Sequence, residues 1–423
     1  MADTAAVQLK QEMRVVGVVS GGHFMSHCYS MMLPPLFPIL HAELGVSYTA
    51  LGLLLSLKAL SFGTMQLPAG ILVDRFGARV MLVFGFALIL SCYSVIAMVD
   101  TFWIIGAMFV IAGVGDAVIH PADYAIMNGS VSESRMGRSF SAHIFGGSLG
   151  MAVAPVTVLF LIGGFGWSWR QVIMAFVAAG LVVIAGLLTQ WPYISEDGRR
   201  PRKRKGSKSS EDGADAMQTT WQAVVEILTS APMLFLLLFF SFSSLGTGAF
   251  KNFAVAGLVS LHGTSLEAAG GALTGFLMAT ALGALVGGFV ADRFGRHATA
   301  AAVALTVSAG IAVLVGMVDL HVTVLAFVFT LAGLLQGIIR PARDMMIRAA
   351  SPRGSIGKAF GFVMSGQAVG GTIAPVMFGA ILDFGAPAWL FYASAVFLLV
   401  CMLSVLGSAR EMKKIRATTK APA

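Results

Sequence analysis

The feature that most limits what this chain can fold into is its succession of long apolar runs. A helix needs roughly 20 mostly apolar residues to cross the hydrocarbon of a bilayer. Twelve runs of about that length alternate with polar breaks, at 15–40, 47–73, 78–99, 102–129, 138–163, 168–191, 231–260, 266–291, 298–318, 322–349, 357–382 and 387–408. Composition agrees: 57% of the 423 residues are hydrophobic and 11% charged, with mean hydropathy +0.84. Soluble domains carry about 25% charged residues, so a soluble enzyme, a disordered chain and a nucleic-acid-binding domain are all disfavoured. The expected fold class is an all-α membrane protein of twelve transmembrane helices. The polar start, Met1 to Arg14, lacks a cleavage pattern, and the first run reads as a retained anchor. Cys28, Cys92 and Cys401 are too scattered to suggest a disulfide framework or a zinc site.

Charge sets the expected orientation. Of 28 Lys and Arg residues, 22 fall at the termini and even-numbered breaks, and the opposite loops hold only Arg170 beside five acids. Basic residues accumulate on the cytoplasmic side, so both termini are expected in the cytoplasm of a multi-pass inner-membrane protein. The formal charge of +8 is then mostly topological. One long polar stretch, 192–220, contains Arg199-Arg200-Pro201-Arg202-Lys203-Arg204-Lys205. Such a run suits a nucleic-acid or anionic-lipid site, or a solvated linker that enforces topology; the linker is the preferred reading, with membrane lipid and no nucleic acid as partner.

The chain repeats itself around that stretch. Gly70-Ile71-Leu72-Val73-Asp74-Arg75-Phe76-Gly77-Ala78-Arg79 returns as Gly288-Phe289-Val290-Ala291-Asp292-Arg293-Phe294-Gly295-Arg296, 218 residues later. Pro121-Ala122 matches Pro341-Ala342, and Ala154-Pro155-Val156 matches Ala374-Pro375-Val376, both at 220. Six spans have been duplicated in parallel orientation: residues 1–191 form one half, 192–220 the linker, 221–408 the second half and 409–423 a cytoplasmic tail. Parallel repeats place a solute site between the halves, near the bilayer midplane.

The duplicated Gly-x-x-x-Asp-Arg-x-Gly-x-Arg block resembles the signature of the major facilitator superfamily, and the resemblance covers essentially the whole chain. Three further features are similar to the fosmidomycin-resistance-type branch of exporters: His23 within Ser20-Gly21-Gly22-His23, Gly113-x-Gly115-x-x-x-x-His120-Pro121, and Gly146-Gly147-x-x-Gly150-x-x-x-Ala154-Pro155. The chain departs from that branch at His27 and at Ala122-Asp123, where the branch carries acids. The resemblance implies a secondary transporter, working as a monomer without a cofactor.

At the repeated block, Gly70, Gly77, Gly288 and Gly295 suit close helix approach and a tight turn. Asp74, Arg75 and Arg79, with Arg138 or Arg135 across the next loop, and Asp292 and Arg293, with Arg353 or Lys358, suit a charged latch that breaks when the inside opens. Static turn capping is the plainer reading. The Gly/Ala-Pro run of the fifth span resembles an antiporter motif, but Gly366, Gly370, Gly371, Ala374 and Pro375 repeat it in the eleventh. Packing and a kink explain both.

Ionisable groups within spans are costly and mark functional positions. The cations are Lys58, Lys251, Arg340, Arg343 and Arg348; the anions are Asp116, Asp123 and Asp344. Arg340, before Pro341, is expected beside unwound backbone, with a fork suited to an anionic oxygen. Lys58, Lys251 and His120 join it as candidate solute-binding residues. Asp116, His23, His27 and Asp123 are the candidates for proton coupling. Asp123, Arg343 and Asp344 also fit structural ion pairs. His23 and His27 share a helix face, but no third ligand is evident in the sequence, so no metal site is expected.

No Gly-x-x-x-x-Gly-Lys-Ser/Thr run is present, so an ion gradient rather than ATP is the expected energy source. No catalytic constellation stands out, and the chain is not expected to be an enzyme. The cationic excess within the spans points to proton-coupled efflux of a small organic anion or amphiphilic drug-like solute. The alternatives are uptake of an organic carboxylate and a sensor or scaffold that does not transport.

Overall fold

The computed structural model describes residues 2–194, 225–294, 297–351 and 356–420, apart from the side chains of 2–6, 290–294, 356–357, 416 and 418–420. Every regular element among them is helical. The first half comprises α1 (Ala2–Met31), α2 (Phe37–Leu44), α3 (Tyr48–Phe76), α4 (Ala78–Ile96), α5 (Phe102–Ser130), α6 (Glu133–Phe165) and α7 (Trp169–Thr189). The second comprises α8 (Ala231–Gly248), α9 (Ala254–His262), α10 (Leu266–Phe294), α11 (His297–Met317), α12 (Val322–Ala350), α13 (Ile356–Asp383) and α14 (Ala388–Lys420).

The first apolar run, 15–40, is two helices rather than one. Pro34, Pro35 and Pro38 lack the N–H that a continuous helix requires, so the chain makes a tight turn at Pro34–Leu36 and restarts as α2 with Pro38 in its first turn. Eleven helical segments, α8 and α9 counting as one, are long and apolar enough to cross a membrane. The twelfth, α1, falls short in composition because Ser20-Gly21-Gly22-His23 and Ser26-His27 dilute its apolar face. It nonetheless packs inside the bundle against α5, α6 and α7. At the far end α14 runs helically to Lys420, past the boundary at 408.

Packing is extensive within each half as well as between the two. In the first, α3 and α4 pack on α5 and α1 on α6; in the second, α10 packs on α12, α8 on α13 and α14, and α11 on α14. The duplication is visible in atomic contacts: Gly113 lies against the carbonyl of Lys58, and Gly333, 220 residues on, against that of Phe276, 218 residues on. Likewise Gly146 and Gly150 rest on Ser20 and Phe24, as Gly366 and Gly370 rest on Leu237 and Ser241. These contacts fix which positions of the two halves correspond.

The halves meet along α3–α13 and α6–α10. One end of that seam is tightly closed. The backbone N–H groups of Tyr48 and Thr49 donate to the two carboxylate oxygens of Asp383 at 2.8 and 2.7 Å, the Thr49 hydroxyl donates to the same carboxylate, and the Ser56 hydroxyl donates to the Thr372 carbonyl at 2.6 Å. Asp383 thus caps the first turn of a helix in the other half, satisfying N–H groups that have no intrahelical partner.

The opposite end differs from expectation. Gly77 does make the tight turn between α3 and α4, with φ +90° that a side chain would strain. But a methyl group at Gly70 or Gly288 would meet nothing within 4 Å. The close approach expected of these two glycines is not made, since each faces open space. Gly295 and Arg353 lie outside the described residues, as do the side chains of Asp292 and Arg293.

Candidate functional site

A cavity of about 460 Å³ opens between the halves, and a second compartment of about 280 Å³ shares His27, His120 and Met151 with it. The first is lined on one side by His23, His27 and His120, and on the other by Lys251, Gln336, Arg340 and Arg343. The second adds Lys58 and Asp116. Seven of the eight residues nominated for solute binding and proton coupling therefore line one connected space. The eighth, Asp123, lies directly behind it.

Lys58 and Asp116 form an ion pair, Nζ to Oδ2 3.2 Å, with side chains 11% and 14% exposed. Lys58 has no acid near it in sequence; α5 brings one, because α3 crosses that helix at Gly113. Asp123 is fully buried and forms no ion pair with Arg343, which pairs with Asp344 instead. It faces His23 Nδ1 at 3.7 Å and His143 Nε2 at 3.6 Å. The structural ion pair expected of it is thus replaced by two imidazoles. His143, on α6, is one more in-span histidine in the sequence, and no spacing there ties it to α1.

The rings gather closely. Centroids lie 4.4 Å apart for His23–His27, 5.0 Å for His23–His120, 5.9 Å for His27–His120 and 4.0 Å for His23–His143. The absence of a third ligand for His23 and His27 is therefore a property of the sequence alone; the fold supplies His120, Asp123 and His143.

On the other side, Lys251 sits in a π-helical turn, Ala249–Phe253, that joins α8 to α9. Such a turn widens the helix by one residue and aims side chains off the regular register. Arg340 lies within α12, which continues unbroken through Pro341. The unwound backbone expected beside it is not present: a proline forfeits one N–H, and packed neighbours tolerate that inside a membrane helix. Among the described residues no carboxylate lies within ion-pair distance of Lys251 or Arg340. Arg343 bonds Asp344, Nε to Oδ1 3.2 Å, and its guanidinium lies 4.6 Å over the Phe240 ring. Arg348 is exposed and outside the cavity.

Away from the cavity, Arg79 donates to the Trp191 carbonyl at 3.2 Å and lies 5.1 Å over its ring. Asp74, Arg75 and Arg138 are exposed. Arg135 forks onto Glu12 of α1 at 2.7 and 2.8 Å, a partner that lies 123 residues away and that no sequence pattern links to it. Arg135 holds the Glu12 carboxyl below its usual range.

Two polar-lined helical halves around a cavity, with one end of the seam closed, form a recognisable architecture. The family model of the Major Facilitator Superfamily matches residues 19–255 and 242–423. The chain belongs to the major facilitator superfamily. It is therefore a membrane transporter of small-molecule solutes and not an enzyme. Among its relatives is a fosmidomycin resistance protein of Escherichia coli, 22% identical over 70% of this chain and 69% of that one. An uncharacterised MFS-type transporter of Bacillus subtilis is 26% identical over 65% and 64%, so the chain spans less than two thirds of that relative. A probable nitrate/nitrite transporter of Mycobacterium tuberculosis is 25% identical over 83% and 85%. Among solved structures, a bacterial homologue of the human lysosomal transporter Spinster superposes with TM-score 0.76 at 15% identity, covering 95% of this chain and 97% of that one. The nucleoside transporter NupG gives 0.75 at 14% identity, covering 93% and 99%. The superfamily fold is thus shared at identities that carry no substrate information.

Proposed function

We propose that this transporter exports a small organic anion, or an amphiphilic solute bearing an anionic group, in exchange for protons. The observation that carries the reading is the pair Lys251 and Arg340: two cations facing the cavity with no carboxylate within ion-pair distance among the described residues. Unpaired charge in a low-dielectric cavity is costly, and an anionic solute would offset that cost. Arg340 offers a planar donor fork for carboxylate or phosphonate oxygens, and Lys251 a point charge beside it. Two relatives, one named for resistance to fosmidomycin and one as a probable nitrate/nitrite transporter, support export and an anionic cargo respectively.

By the positive-inside rule both termini face the cytoplasm of the inner membrane. The Asp383 clasp then closes the outer end, and the uncrowded end at Gly70 and Gly288 opens inward. The solute loads from inside with Asp116 ionised against Lys58. Return of the empty carrier takes a proton onto Asp116. The repeated blocks at Asp74, Arg75 and Arg79 and at Asp292 and Arg293 would latch the inner end when the outer end opens.

The Lys58–Asp116 pair itself favours a second reading, uptake. Protonating Asp116 leaves Lys58 unbalanced and makes the cavity more positive, so a proton and an anion would bind together. Vesicles loaded with labelled organic anions under an imposed pH gradient separate the two. Export by exchange drives anion against the direction of proton flow, and uptake drives it along. Anion flux unaffected by Arg340→Ala and Lys251→Ala together would overturn the anionic cargo.

A further inference from the structure

A group of buried polar atoms in the first half stands without hydrogen bonds. Nδ1 of His23, His27 and His120, both ring nitrogens of His143 and both oxygens of Asp123 are buried without a hydrogen-bond partner. Buried side-chain nitrogens and oxygens normally find one. His23 Nδ1 and His143 Nε2 do face Asp123 Oδ2, at 3.7 and 3.6 Å, but a cluster of imidazoles left this short of hydrogen bonds is the pattern of a site made for something else to bind.

We propose that His23, His27 and His120 form a binding site for a divalent transition-metal ion of the zinc class, opening onto the transport cavity. One ligand atom from each residue can be chosen so that all three lie within 4.8 Å of one another. Zinc-to-imidazole bonds of about 2.0–2.1 Å put nitrogens roughly 3.4 Å apart in a tetrahedron, so each ring closes in by about 1 Å. The rings are mutually tilted, by 59°, 64° and 71°, which lets their in-plane lone pairs converge on one point.

Asp123 and His143 stand behind this triad rather than in it. His23 and His143 are nearly parallel, at 26°, and parallel rings aim their lone pairs side by side instead of at a common ion. The Asp123 carboxylate, 3.7 Å from His23 Nδ1, is placed to accept that N–H and present His23 Nε2 to the metal, as carboxylates do behind metal-bound imidazoles. Gly147 clears the space at that atom, where a Cβ would overlap His23 Nε2.

Donor chemistry selects the ion. Three neutral imidazoles suit Zn²⁺, Co²⁺ or Ni²⁺, whereas Mg²⁺ and Ca²⁺ seek oxygen ligands. The carboxylate in the same compartment, Asp116, is already held by Lys58. All three histidines line the cavity, which gives the ion an entry path and leaves a fourth coordination position for water or a solute donor atom. This site stands independently of the anion and of proton coupling.

The test uses the full-length protein in detergent, with any polyhistidine tag removed. Titration with Co²⁺, followed by its visible absorption and by equilibrium dialysis, should show one ion per chain in a tetrahedral spectrum, displaced by Zn²⁺ but not by excess Mg²⁺. His23→Ala and His120→Ala should abolish binding, while His120→Cys, which restores a ligand, should retain it with a thiolate charge-transfer band. Asp123→Asn should weaken it by about 10- to 100-fold, and Gly147→Ala should weaken it by displacing the His23 ring. Absence of stoichiometric Co²⁺ in the wild-type protein would overturn the site, as would binding that survives His23→Ala. Anion flux is a separate measurement, so either reading can fail without the other.

Discussion

The two sides of the cavity began as copies and now carry opposite chemistry. Through the repeated glycine contacts, Lys58 corresponds to Phe276 and His23 to Phe240, while at an offset of 220 Asp116 corresponds to Gln336, His120 to Arg340 and Asp123 to Arg343. Asp123 faces His23 in one half, and Arg343 stacks over Phe240 in the other. The same helix crossing thus supports an acid–imidazole contact on one side and a cation–π contact on the other. The first half collects imidazoles and carboxylates, which can bind protons or metal ions, and the second collects basic side chains. Duplication kept the geometry and left the chemistry free to diverge, giving one half a switchable face and the other a fixed electrostatic one.

The contrast can be broken most forcefully on the switchable side. Removing one partner of the Lys58–Asp116 pair leaves a buried charge alone, which costs about 3–5 kcal/mol. Lys58→Met or Asp116→Asn should lower the melting temperature in detergent far more than the double substitution does. On the fixed side, Arg340→Gln should reduce anion transport by about 10- to 100-fold, the worth of a charge-assisted hydrogen bond, with little change in melting temperature. Arg340→Lys should recover part of it, read from initial rates in vesicles. Phe240→Leu removes the ring under Arg343 and should cost about 0.5–2 kcal/mol of stability.

Two smaller effects lie at the ends of the seam. Asp383→Ala removes a helix cap worth about 0.5–2 kcal/mol, typically about 1, so labelling of a cysteine placed at Ser56 should rise by roughly fivefold at that typical value. At the other end, Glu12 is held below the usual carboxylate range by Arg135. Its contribution to stability is complete above the unfolded value of about 4.3 and is lost as pH falls through the lower folded value. Glu12→Gln should therefore flatten the acid limb of the melting-temperature profile and leave the neutral-pH shape unchanged.

The sequence displays the spans, because hydropathy is local, and the duplication, because the Gly-x-x-x-Asp-Arg block is copied intact. It also displays that Lys58, Lys251 and Arg340 sit in apolar surroundings and so need a reason. What it hides is pairing between helices. Lys58 has no acid nearby in sequence, and only the crossing of α3 over α5 at Gly113 reveals Asp116 as its partner. His143 reads as an isolated residue until α6 packs on α1 and sets it 4.0 Å from His23. The π-helical turn around Lys251 depends on how α8 and α9 dock, which no pattern in Ala249-Phe250-Lys251-Asn252-Phe253 announces. The continuous helix through Pro341 shows the opposite error: a strong local signal overruled by packing.

The Asp383 clasp has a consequence for how this family would look in an alignment. Its acceptor is a side chain, but two of its three donors are main-chain N–H groups, at Tyr48 and Thr49. Every residue except proline provides such a donor, so positions 48 and 49 can drift while the contact persists. Homologues that keep the clasp should preserve a carboxylate at 383 with nothing changing in step across the seam, and a search for co-varying pairs would pass over this junction between the halves.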